Sequence, residues 1–194
     1  MKKDEVDHYV ARLQKRKKVD VTDEMKYYDV DVYCWRVSQT IQWLKHIELN
    51  SLEFLFRNKS VDGMRLMMLK TGSDLEELGV TRGLHIRKIL IKRKHLLHSN
   101  RRNVVENDTD FTKLKMASWR VSQTIQWLKH IELESLETLF RENSVDGELL
   151  SELTEPILEI SMKVNNFMHR RKIVLKRKKW KDKESTSVVD LSSP

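Results

Sequence analysis

WRVSQTIQWLKHIEL, residues 35–49, stands a second time without a change at residues 119–133, 84 positions further on. Within it Val37, Ile41, Leu44 and Ile47 step by four, three and three, which places them on one face of a helix. The copies then diverge in a limited way: over residues 35–69, 27 of 35 positions match the residue 84 further on. A long unit that occurs only twice predicts a pair of small domains, not a solenoid whose neighbouring units share one core.

Composition bounds the fold. Five glycines and two prolines in 194 residues are too few turn formers for an all-β chain. The 39% of hydrophobic residues suffices for cores, although units of this size must be compact and helical to stand alone. The one cysteine, Cys34, excludes an intramolecular disulfide and fits a reducing compartment. No stretch approaches 18 apolar residues, and the opening MKKDEVDHYV has acids where a signal peptide needs an apolar core. These features predict a soluble, intracellular protein with no membrane partner. A net charge of +8 admits anionic partners, but 29 acidic residues make the chain a mixed polyelectrolyte, not a basic arm.

After the first helix, the stretch from Glu48 to Ser51 reads as a turn, and Leu52, Leu55 and Phe56 mark a short second helix ending near Asn58. Asp62-Gly63 is a turn, with Leu66 and Leu69 one helical turn apart beyond it. Gly72-Ser73-Asp74 opens a helix carrying Leu75 and Leu78, and Gly79 stops it. A longer last helix has Ile86, Ile89, Leu90 and Leu97 inside and Arg87, Lys88, Lys92 and Lys94 largely outside. The fold class is therefore all-α, with two tandem five-helix bundles over residues 35–98 and 119–180. A polar linker, 99–118, joins them, and a Ser-rich, disordered tail covers 181–194. The extension 1–34 holds a candidate amphipathic helix with Val6, Tyr9, Val10 and Leu13 on one side, acids before it and Lys15 to Lys18 after it.

FRNKSVDGMRLMMLKTGSDLEELGV followed by HIRKIL in the first copy, and FRENSVDGELLSELTEPIL followed by HRRKIVL in the second, complete an order of residues that resembles the sterile alpha motif (SAM) domain. The resemblance covers about two-thirds of the chain. It implies a five-helix protein-interaction bundle without catalytic activity. Two departures concern the start of helix 5: Leu84 and Met168 stand where the family usually has glycine before the histidine, and Lys163 stands where the first copy has Gly79, with a one-residue slip nearby.

No catalytic, cofactor or metal constellation is present. His46 and His130, like His85 and His169, are duplicated fold positions, and His95-x-x-His98 lacks the further ligands a metal needs. Trp35, Trp43, Trp119 and Trp127 repeat with the fold and read as core. The informative signal is charge. Residues 50–69 carry Glu53 and Asp62 against Arg57, Lys59 and Arg65, a net +1, whereas residues 134–153 carry Glu134, Glu137, Glu142, Asp146, Glu148 and Glu152 against Arg141, a net −5. The last helices stay basic in both copies.

In SAM domains, the resemblance implies, an acidic middle surface of one domain meets the basic start of helix 5 of another, and such contacts join head to tail. The acidic residues of the second copy are then the expected mid-surface. Leu84, His85, Arg87 and Lys88, with Met168, His169, Arg170, Arg171 and Lys172, are the expected helix-5 ends. The expected function is a scaffold that binds other SAM domains or itself. The alternative is RNA-hairpin binding through basic helix 5, because some SAM domains resemble the type that reads RNA hairpins. Two short tail motifs point to the nucleus beside the cytoplasm. Residues 176–181, KRKKWK, resemble a basic import signal, and Val188-Val189-Asp190-Leu191-Ser192 is similar to SUMO-interaction motifs.

Overall fold

The computed structural model describes residues 22–98 and 110–187. The candidate helix around Val6–Leu13 and the motif at Val188–Leu191 lie outside the described residues. Within them the chain forms two helical bundles without strands. The first contains α1 Val37–His46, α2 Glu53–Asn58, α3 Gly63–Met68, α4 Gly72–Leu78 and α5 Gly83–His98. The second contains α6 Val121–His130, α7 Glu137–Glu142, α8 Gly147–Glu152, a π-helical turn Ile157–Ser161 and α9 Phe167–Ser187.

Local chemistry starts the helices at the duplicated positions. The Gln39 side chain accepts the Arg36 amide at 3.0 Å, and Gln123 accepts that of Arg120 at 2.9 Å, each satisfying an amide that the first helical turn leaves open. Asp62 and Asp146 cap α3 and α8 by accepting the amides of Arg65 and Leu149, both at 2.8 Å. The apolar stripes then close two cores, one around Trp43, Leu44, Phe56 and Ile89 and the other around Trp127, Leu128, Phe140 and Ile173. Each fully buried Leu, Ile or Phe among them contributes about 1.5–3 kcal/mol relative to exposure. Gly63 and Gly147 sit where the capping turn presses on the chain before the first helix: a methyl group on Gly147 would overlap the Met116 carbonyl oxygen and come within 2.7 Å of Trp119 Cβ.

The repeat reaches further upstream than its identical sequence. Tyr27 and Phe111, 84 positions apart, lie edge-on to Trp35 and Trp119 at centroid separations of 5.5 and 5.4 Å. Val32 and Met116, another such pair, are buried in the two cores. Residues expected to form an extension and a polar linker thus complete both bundles. At the other end, Lys181–Ser187 continue α9 instead of forming a disordered tail. Trp180 packs against Phe111 at 5.4 Å, and Glu184 accepts the Met116 amide at 2.6 Å and the Trp180 indole N–H at 3.1 Å.

The fourth helix shows how the one-residue slip is absorbed. In the first copy Thr71 caps α4, and Leu75 and Leu78 point inward. In the second the threonine is Thr154, one position early, and the buried residues are Leu158 and Met162. The wider π turn, with the Met162 amide bonded to the Ile157 carbonyl at 3.2 Å, takes up the extra residue. Both copies then leave through a left-handed residue at the same repeat position, Gly79 with φ 116° and Lys163 with φ 57°.

Candidate protein-docking site

Helix α5 of the first bundle lies on the face of the second formed by the α7–α8 connection and α8. Lys88, although expected outside, is 1% exposed because this face covers it. Its ammonium donates to the Ser144 carbonyl at 2.6 Å and lies 3.2 Å from the Asp146 carboxylate. One turn on, Lys92 lies 3.0 Å from Asp146 and 2.7 Å from Glu148, and His95 Nε2 is 2.9 Å from the other Glu148 oxygen. At the start of the helix, Arg82 donates to the Glu142 carbonyl at 2.6 Å, with His85 Nε2 3.3 Å from the same oxygen. Leu84 is buried within the second core, and Ile91 packs against that core. Glu48, at the end of α1, accepts the first amide of α6, Val121 N–H, at 3.1 Å.

The face is electrostatically matched. Burial would raise the Asp146 carboxyl, but Lys88 and Lys92 hold it below the usual carboxylate range. Burial would likewise lower Lys92, yet Asp146 and Glu148 push it above the usual lysine value. Lys88, more deeply enclosed, is drawn down by burial despite Asp146 and Glu48. Burial also pulls the His85 ring below its ordinary value, with Arg82 and Lys88 adding to the effect and the Glu142 carbonyl opposing it. Breaking one partner of such an enclosed cluster leaves an unpaired charge behind, which costs more than the intact pair gains.

The residues singled out by charge divide into three groups. Glu142, Asp146 and Glu148 meet Leu84, His85 and Lys88 within one chain, and Glu152 borders a cleft shared with Ile86, Arg87 and Leu90. Glu137 is drawn instead to Lys129 and Arg141, as Glu53 is to Lys45 and Arg57, so this carboxylate serves its own domain in both copies. Glu134 is exposed at the turn before α7. On α9, Arg170 is buried, bonded to the carbonyls of Val164 and Asn165 and 3.2 Å from Glu159, so it belongs to the fold; its counterpart is the core residue Ile86. Met168 and Arg171 are exposed, His169 and Lys172 are half-buried, and Lys172 lies 3.1 Å from Glu132. The import-like stretch 176–181 is part of α9, with Arg177 bonded to the Leu150 and Leu153 carbonyls.

Arg82, Lys92, His95 and Glu48 also join the contact. Helical spacing from Lys88 could have found Lys92 and His95. Glu48 is identical in both copies, so a search for divergence passes over it.

Two tandem helical bundles, the last helix of one seated on the middle surface of the other, define the class as an all-α pair of small domains. The sterile alpha motif (SAM) domain family matches residues 34–97 and 117–181, more than half of the chain, and the chain belongs to that family. SAM domains are non-catalytic modules that bind proteins and in some cases RNA. No curated protein matches the chain. Among the described residues no helix is long and apolar enough to cross a membrane.

Proposed function

We propose that this chain is a SAM–SAM adaptor whose α9 face docks the acidic middle surface of another SAM domain. One observation carries the reading: α5 is seated on the Asp146–Glu148 face, and α9 has the same residue types at the same spacing. Met168, Lys172, Lys176 and Lys179 stand 84 positions after Leu84, Lys88, Lys92 and His95. Met168 is 65% exposed where Leu84 is 1% exposed. The first domain offers α9 little, since Met64 and Met68 replace Glu148 and Glu152, and Lys59 and Arg65 add positive charge. Complementary charge orients such a contact, and Met168 anchors it.

Transplanting the acidic face tests this reading. Met64→Glu with Met68→Glu should make the first domain a target for α9, so that chains associate as concentration rises in sedimentation velocity. Association should weaken as salt shortens the screening length from about 10 Å at 0.1 M to about 3 Å at 1 M. Adding Lys172→Glu and Lys176→Glu should abolish it. Failure of the double variant to associate at low salt would count against an acid-reading α9.

A second reading, RNA bound by α9, is favoured by Lys176, Lys178, Lys179, Lys181 and Lys183, all exposed along that helix. Under it, Lys172→Glu with Lys176→Glu weakens retention of an RNA hairpin and flattens the salt slope by about one per lost phosphate contact. No acidic-to-basic change elsewhere restores it.

A further inference from the structure

The second domain has one acidic face, and two basic helices of the same register are built for it. One is α5 of the same chain, already docked through Lys88, Lys92 and His95. The other is α9 of a second copy, which presents Met168, Lys172, Lys176 and Lys179 at the equivalent positions. We infer that the first domain is an intramolecular cap, and that removing α5 from the Asp146–Glu148 face lets second domains assemble on one another, α9 of each on the acidic face of the next. This inference rests on the reading of α9 given above.

Three observations support it. The second domain alone carries both halves of the contact: its middle surface is net −5 and its α9 is basic, whereas the first domain has only the basic half. The cap covers what α9 would need, since α5 occupies Asp146, Glu148 and the carbonyls of Glu142 and Ser144 together. The connection also favours the cap. Eleven residues, 99–109, separate α5 from the described start of the second domain. Eleven residues span at most about 40 Å, so the connection keeps α5 near the face at an effective concentration of about millimolar. A second copy at ordinary concentration does not compete with that. The domain therefore stays capped until α5 is displaced by a tighter ligand for α5 or by a change in its charge.

The test uses the full chain. Lys92→Glu with His95→Glu reverses the charge of α5 where it meets Glu148 and leaves α9 and both cores untouched. Wild type should sediment at the mass of one chain, 23.2 kDa, across the concentration range. The variant should shift to at least twice that mass as concentration rises at low salt. Adding Lys172→Glu and Lys176→Glu should return it to a single chain. Leu84→Asp, which removes the apolar anchor of the cap, should act in the same direction, with far-UV circular dichroism checking that both domains stay folded. A folded variant that remains a single chain, while the Met64→Glu, Met68→Glu chain assembles, overturns the cap and leaves the α9 reading standing. If neither assembles, both fall. Assembly that persists with α9 reversed also overturns the cap.

Discussion

Lys163 occupies a left-handed backbone position that its counterpart Gly79 fills without a side chain. For a residue with a Cβ that conformation costs about 1–2 kcal/mol. Lys163→Gly is therefore expected to stabilise the second domain by about 1 kcal/mol, visible as a higher urea midpoint with an unchanged slope. The reverse change, Gly79→Lys, should cost more than that, because its Cβ would also lie 3.1 Å from a Leu55 methyl. The sequence marks the Lys163 substitution plainly, since the repeat aligns it with glycine. It marks Arg170 misleadingly: a basic residue in a basic run reads as surface, and only the helix phase, with Ile86 as its counterpart, turns it inward.

Among the elements, the end of α9 matters most. Glu184 lies beyond the stretch matched by the family, yet its carboxylate accepts both the Met116 amide and the Trp180 indole. Glu184→Ala leaves both donors without that acceptor, and loss of hydrogen bonds to a charged group costs about 1.5–3 kcal/mol in total. The second domain should melt earlier, reported by the fluorescence of Trp180 and Trp119, whose rings lie 5.3 Å apart. The helices of the first copy were legible from apolar spacing, the Asp62-Gly63 turn and the Gly79 stop. Tyr27 and Phe111 were not, because the surrounding residues have diverged and aromatics in a polar stretch carry no helical period. The π turn was legible only as a slip; how a helix accommodates an added residue depends on the core it faces. The two charged faces were legible too, but their meeting inside one chain was not, because charge divergence identifies surfaces and says nothing of the distance between them.

For the molecule as a whole, acid should separate the domains. The docked His85 ring is held below its ordinary value near 6.5, so below that pH the separated state binds more protons, and docking weakens as pH falls. Asp146, held below the usual carboxylate range near 4, contributes above that pH and loses its contribution as further acid protonates it. Both signs agree. Small-angle scattering should show a compact particle at pH 7.5 and a larger radius of gyration at pH 4, with far-UV dichroism retained. An unchanged radius at pH 4 would mean that the apolar contacts of Leu84 and Ile91 hold the domains together alone.

The clasp at the ends of the second domain also determines how the protein bears a pull. Tension along the chain enters that domain at Phe111 and leaves past Glu184, and these points are already joined through Trp180 and the Met116 amide. The load closes through the clasp and bypasses α6, α7 and α8. The α5 contact lies outside that short circuit, in the path between the two domains, and is held by the ion pairs of Lys88, Lys92 and His95 beside the buried Leu84. Stretching the protein is therefore expected to part the α5 ion pairs and draw Leu84 out before the rest of either core unfolds, so that force would uncover the same acidic face.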